Sequence, residues 1–265
     1  MLTWVFGPPR GIPGSPWGPV GAVFTVLLVS VLAVALAGVV MAGVVAVTPW
    51  LRQAVETRCA GASGIHCITG VVGALGLVYF FVVTGLMVAC GFRRGASLDN
   101  SLMLRSARWR LWQYAVFAVV TVGFLVLLQQ VLFHVTDLFG IAPEDPSGDL
   151  ERLRQYFNLD NPASVVLMGL LAVVLAPLAE EFVFRGFLFG AFQKSRLGVV
   201  GSAILLSVAW SVTHWGYSSQ NLVALFGLGL LFAYIVWRTG SLWPAIVGHA
   251  ANNLVAVVAL LGHLP

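Results

Sequence analysis

The stretch ASVVLMGLLAVVLAPLAEEFVFRGFLFGA, residues 163–191, holds just three charged side chains: Glu180, Glu181 and Arg185. A helix needs about 20 apolar residues to cross the hydrocarbon of a bilayer, and this run is long enough. Six further apolar runs lie at about 20–50, 69–91, 112–136, 198–215, 221–238 and 243–262. Lipid accepts only segments whose backbone polar groups are satisfied internally, which means helices or closed barrels. These runs are far longer than barrel strands. The expected fold is therefore all-α, a polytopic membrane bundle of about seven transmembrane helices.

Composition agrees. Of 265 residues, 59% are hydrophobic and 9% charged, whereas a soluble domain carries roughly 25% charge. So little charge cannot cover a water-soluble globule, and a disordered chain is excluded by the same numbers. The net charge of +4 is spread over short loops, so no nucleic-acid partner is expected. Thirteen arginines against one lysine, Lys194, suit a GC-rich bacterial source.

Three regions follow: an amino-terminal arm, 1–18, rich in Gly and Pro; accessory helices and loops, 19–162; and a core, 163–265. The first apolar run is too long for a signal-peptide core and reads as a retained helix. Basic residues orient the bundle. Arg10, Arg93, Arg94, Arg105, Arg108, Arg110, Lys194, Arg196 and Arg238 fall on one side with a single acid, Asp99. Arg52, Arg58, Arg152 and Arg154 fall on the other with seven acids, Asp149 among them. The amino terminus is expected in the cytoplasm and the carboxyl terminus outside. Cys59 and Cys67 share the first outside loop, where the compartment permits a disulfide. Cys90 reads as a small core residue. In the long outside loop, Leu150, Leu153 and Phe157 are spaced for a short amphipathic helix on the membrane surface.

A few groups remain that lipid should reject: Glu180, Glu181, Arg185, His214, His249, Asn252 and Asn253. A charge at mid-bilayer costs at least about 2.5–3.5 kcal/mol, so such groups face the interior of the bundle and mark a functional site by default. Glu181 and Arg185 are four apart and pair on one face. Glu180 points roughly 100° away and is free for chemistry. Pro177 can kink this helix. His249 and Asn253 share a second face, and Trp210 and His214 a third, where the indole can pack on the imidazole. His66, His134 and His263 read as solvated or interfacial.

Two chemistries stay open. Glu180 could act as general base toward water, with His214 holding the water and His249 with Asn253 donating to an oxyanion. Alternatively Glu180, His214 and His249 could hold Zn²⁺, which activates bound water. The plain readings are a buried ion pair, an interfacial imidazole and inter-helix hydrogen bonds. Counted from the expected cytoplasmic helix ends, the three candidate groups differ in depth by roughly 15 Å, which tilt or a kink must absorb if they are to meet.

These residues resemble a family. Glu180 to Arg185 matches the E-E-x-x-x-R motif of the CAAX protease and bacteriocin-processing (CPBP or Abi) intramembrane proteases. His214 matches the histidine of its F-x-x-x-H motif, with Trp210 where the family usually has Phe, and His249 to Asn253 matches its third motif. The resemblance spans about 163–262. It implies an intramembrane endopeptidase acting on a membrane-associated protein or peptide, similar to CAAX prenyl endopeptidases. Carried across, Glu180 is the base, His214 aids water activation, His249 and Asn253 form the oxyanion site, and Glu181 and Arg185 support it. The family was long called metalloproteases, and its structural branch is read as glutamate-dependent with no required metal. The competing reading is a non-catalytic immunity or scaffold protein on the same fold. An ion-coupled carrier would be expected to show an inverted repeat, and none is evident.

Overall fold

The computed structural model describes residues 15–47, 65–92, 95–140, 149 and 162–262. Each apolar run forms a helix. They are α1 (Pro19–Val47), α2 (Ile65–Phe92), the short α3 (Leu98–Ser101), α4 (Leu111–Leu138), the composite α5 (162–192), α6 (Gly198–Val212), α7 (Ser219–Thr239) and α8 (Trp243–Gly262). Among the described residues there is no strand. Five helices are long and apolar enough to cross a membrane, while α6 and the 76–90 part of α2 are shorter apolar segments. The protein is an integral membrane helical bundle.

The helix ends follow local chemistry. Ser218 caps α7, its side chain accepting from the Asn221 N–H. Gly240 ends α7 in the left-handed region at φ 62°, a conformation that suits glycine. Pro244 occupies the first turn of α8, where a missing N–H costs little. Small residues let the rods approach: a methyl group on Gly248 would meet Phe117 and Thr121 of α4 at 2.9 Å, and one on Gly85 would meet Val29 of α1 at 2.7 Å.

The composite α5 departs most from expectation. Two π-helical turns, Leu171–Leu175 and Phe182–Leu188, bracket a short α-helical stretch, Ala176–Glu181, that carries both glutamates. Such widened turns gather at functional sites.

The segment after α2 also differs from a solvated loop. Leu102 and Met103 are fully buried, and the Leu242 N–H donates to the Met103 carbonyl. Arg105 donates to the Gly240 carbonyl and the Trp243 indole to the Leu104 carbonyl. The stretch from Thr239 to Leu242 is buried with it. Arg238, expected in a loop, is 4% exposed, because this turn is drawn into the bundle. The near end of the amino-terminal arm packs too: Trp17 lies 4.9 Å from Phe187, ring to ring, and Lys194 donates to the Ser15 carbonyl. Cys90 is a buried free thiol, and His134 is exposed at the far end of α4. Whether Cys59 and Cys67 pair or stay free thiols lies outside the described residues, since Cys59 falls in 48–64. So do His263, the side chain of His66 and the amphipathic helix expected at 150–157.

Candidate active site

The two adjacent glutamates part as helical geometry requires. The Glu181 side chain is fully buried, while that of Glu180 is 15% exposed. Glu181 Oε1 accepts from Arg185 Nη1 at 3.0 Å, the expected pair four residues apart. The same oxygen also lies 3.0 Å from His249 Nδ1. A carboxylate oxygen can only accept, so the hydrogen of His249 sits on Nδ1. Glu181 thus fixes the imidazole as well as neutralising the arginine, a link that helix spacing alone does not reveal.

Trp210 is the hub. Its Nε1 donates to Glu180 Oε2 at 2.6 Å. The rings of His214 and His249 each meet it edge-on, with centroids 5.3 Å away. The Arg185 guanidinium lies over the indole at 4.2 Å. Phenylalanine would fill most of this space and could not supply the N–H.

His214 lies just past α6, in the turn that follows Val212 rather than in the helix. Its Nδ1 is 3.1 Å from the Trp210 carbonyl, an acceptor, so Nε2 is the bare nitrogen of the neutral ring. That Nε2 stands 4.0 Å from Glu180 Oε2, and His249 Nε2 stands 4.0 Å from the same oxygen. The large depth spread expected from helix counting is absent. The cause is the buried turn before α8, which starts that helix deep in the bundle and brings His249 level with Glu180 within two turns.

Asn253 Nδ2 donates to the Ala172 carbonyl in the first π-helical turn at 2.8 Å. Asn252 points elsewhere, its Nδ2 donating to the Gly248 carbonyl at 2.9 Å. Asn253, His214, His249 and Trp210 line one cavity of about 310 Å³, with Leu125 and Leu228 among its apolar walls. A second cavity of about 430 Å³ opens between α1, α2 and α5; Glu180, His214 and Tyr79 line it. His214 borders both, so the cluster stands in the partition between two hollows.

Several residues of this neighbourhood escaped sequence reasoning. Asp149, one acid among seven in the outer loops, is buried beside the first cavity and accepts from the N–H and hydroxyl of Ser218 at 3.0 and 2.8 Å. It also accepts from Asn221, whose Oδ1 takes a hydrogen bond from Gln129 at 2.7 Å. Nothing in local spacing marks these groups, which come from three distant segments.

The three residues that could alternatively hold zinc are spaced more widely than a tetrahedral site requires. Zinc at about 2.0–2.2 Å from each ligand holds tetrahedral ligands about 3.3–3.6 Å apart. Here both imidazole nitrogens stand 4.0 Å from Glu180 Oε2, which already takes the Trp210 N–H. Among the described residues no group of three His, Cys, Asp or Glu side chains is gathered to hold an ion.

Residues 162–255 match the family model described as Type II CAAX prenyl endopeptidase Rce1-like. That region is similar to this family. The family reading of the three motifs is borne out, and the match takes in Glu180, His214, His249 and Asn253. Among curated relatives, "Putative membrane peptidase YdiL" of Bacillus subtilis is 29% identical over 104 residues, covering 39% of this chain and 41% of that protein. "Uncharacterized protein YyaK" of the same organism is 25% identical over 189 residues, covering 67% of this chain and 57% of that protein. The chain thus spans about half the length of the curated relatives it matches. No solved structure matches.

Proposed function

We propose that this chain is an intramembrane endopeptidase that hydrolyses a peptide bond of a membrane-associated protein or peptide. The observation that carries this reading is the placing of both imidazole Nε2 atoms 4.0 Å from one carboxylate oxygen, between two cavities of the bundle. A water about 2.8 Å from Glu180 Oε2 and from His214 Nε2 bridges that gap at an angle of about 90°. Both atoms accept, so the water gives one hydrogen to each and its lone pairs face away, toward a carbonyl carbon.

Glu180 takes a proton from this water as the oxygen bonds to the carbonyl carbon. The carbonyl π bond breaks and its electrons move to oxygen. Asn253 Nδ2–H and His249, donating from Nε2 when its ring is protonated, stabilise that oxyanion. The C–N bond then breaks, and Glu180 returns its proton to the leaving amine. Glu181 and Arg185 hold His249 and Trp210 in place throughout. No step uses a metal ion. We place the enzyme in a bacterial cell membrane with its amino terminus cytoplasmic and its carboxyl terminus outside, following the loop charges.

The test is hydrolysis of a membrane-tethered reporter by the full chain in proteoliposomes. Glu180→Gln keeps the size and the acceptor oxygen but cannot take the proton, and a rate loss of about 10²–10⁴ is expected. Retained hydrolysis in that variant overturns the reading. Exhaustive chelation is expected to leave the rate unchanged, and loss restored by Zn²⁺ would replace the metal-free mechanism with a metal-assisted one.

A further inference from the structure

The carbonyl of Ala172 sits at a break in the hydrogen bonding of α5. In the first π-helical turn the N–H of Ala176 bonds back to the carbonyl of Leu171, five residues earlier. The next bond in that series would run from residue 177 to Ala172, but residue 177 is proline and has no N–H. Ala172 therefore loses both of its ordinary helical donors, one diverted and one missing. In hydrocarbon such a carbonyl must find another partner. It finds Asn253, whose Nδ2 reaches across from α8 at 2.8 Å.

An amide nitrogen carries two hydrogens. With one held by Ala172, the amide is restrained and the second hydrogen is left for another acceptor. Asn253 lines the cavity that His214 and His249 also line. We infer that Pro177 is a positioning residue of the hydrolytic site: by withholding an N–H it leaves the Ala172 carbonyl to anchor and aim the Asn253 amide. Its catalytic half rests on the reading of Asn253 given above. Its structural half, the coupling of Pro177 to Asn253, stands apart from any activity.

The Pro177→Ala substitution restores the missing N–H and favours a continuous helix. The restored N–H, or that of Ala176, then bonds to the Ala172 carbonyl and displaces Asn253. Alanine is the better helix former, and the thermal midpoint reports whether the variant folds. The experiment compares Pro177→Ala, Asn253→Ala and the double variant in the full chain, by thermal midpoint in detergent and by reporter hydrolysis in proteoliposomes. Asn253→Ala is expected to lower the midpoint in the native background and to lower it less in the Pro177→Ala background. Pro177→Ala is expected to lower kcat about tenfold with KM unchanged, and the double variant to match Asn253→Ala alone. Additive midpoint shifts overturn the coupling, and an unchanged kcat in Pro177→Ala overturns the positioning role. Glu180→Gln, run in parallel, separates the failures: an inactive Glu180→Gln with additive midpoints sinks this inference alone, whereas an active one sinks the hydrolytic reading and leaves the midpoint comparison to stand or fall by itself.

Discussion

The accessory helices α1 and α4 are greasier by sequence than the helices of the matched region, with mean hydropathy 2.8 and 2.4 against 2.0, 1.8 and 1.7 for α5, α7 and α8, and they also sit differently. In the central windows of α1 and α4 only 11% of residues are buried, against 33% in α5 and α8 and 50% in α7. Val31 of α1 and Val119 of α4 are 66% and 73% exposed, while Trp210, Leu228 and Phe232 are essentially inaccessible. Apolar character therefore says which segments enter the membrane, and polar exceptions say which of them pack together. Glu181, Arg185 and His249 are tolerated because each satisfies another.

That contrast breaks most sharply at Arg185. Replacing it with alanine leaves Glu181 as an uncompensated buried charge, and a stability loss of about 3–5 kcal/mol is expected, measured by unfolding in mixed detergent. A shift no larger than that of a lipid-facing variant would erase the distinction between the two regions. Next comes Gly248→Ala, where the new methyl meets Phe117, Thr121 and Phe232 within 3.2 Å. Overpacking of this kind costs about 1–3 kcal/mol. Because His249 is the next residue, hydrolysis should fall with stability in this variant.

Trp210→Phe keeps an aromatic side chain and removes the hydrogen bond. A smaller aromatic ring stays and the N–H to Glu180 is lost, a bond to a charged group worth about 1.5–3 kcal/mol. We expect a roughly tenfold slower reporter hydrolysis with a change in midpoint comparable to that of Gly248→Ala. An unchanged rate would show that the indole nitrogen is incidental to Glu180. Smallest of all should be Val31→Ala on the exposed face of α1, within about ±0.5 kcal/mol of the parent and with full activity. A large effect there would reveal a packed partner for α1.

The helices and the three polar motifs were legible because both are local: apolar runs report on lipid, and spacings of three and four report on one face. Glu181 with Arg185 is such a pair. The tie between Glu181 and His249, 68 residues apart, is not local, and neither is the indole bond from Trp210 to Glu180. The π-helical turns had no signal beyond Pro177, because an extra residue per turn leaves the apolar pattern intact. Arg238 and the stretch Leu102–Arg105 read as loop because charges and short apolar runs do not show that a turn will be drawn inward. The depth mismatch came from assuming that every helix begins at the same plane.

The brevity of α6 has a consequence for the surrounding lipid. Its fifteen residues span about 22 Å, well short of hydrocarbon about 30 Å thick. A rod too short for its bilayer pinches the leaflet or draws polar neighbours inward, and the turn after α6 carries Thr213, His214, Tyr217 and Ser218. A bilayer that thins to match α6 would bring headgroups and water toward the glutamate–histidine cluster on that flank, and a substrate of the proposed hydrolysis would cross less oil there than beside α1.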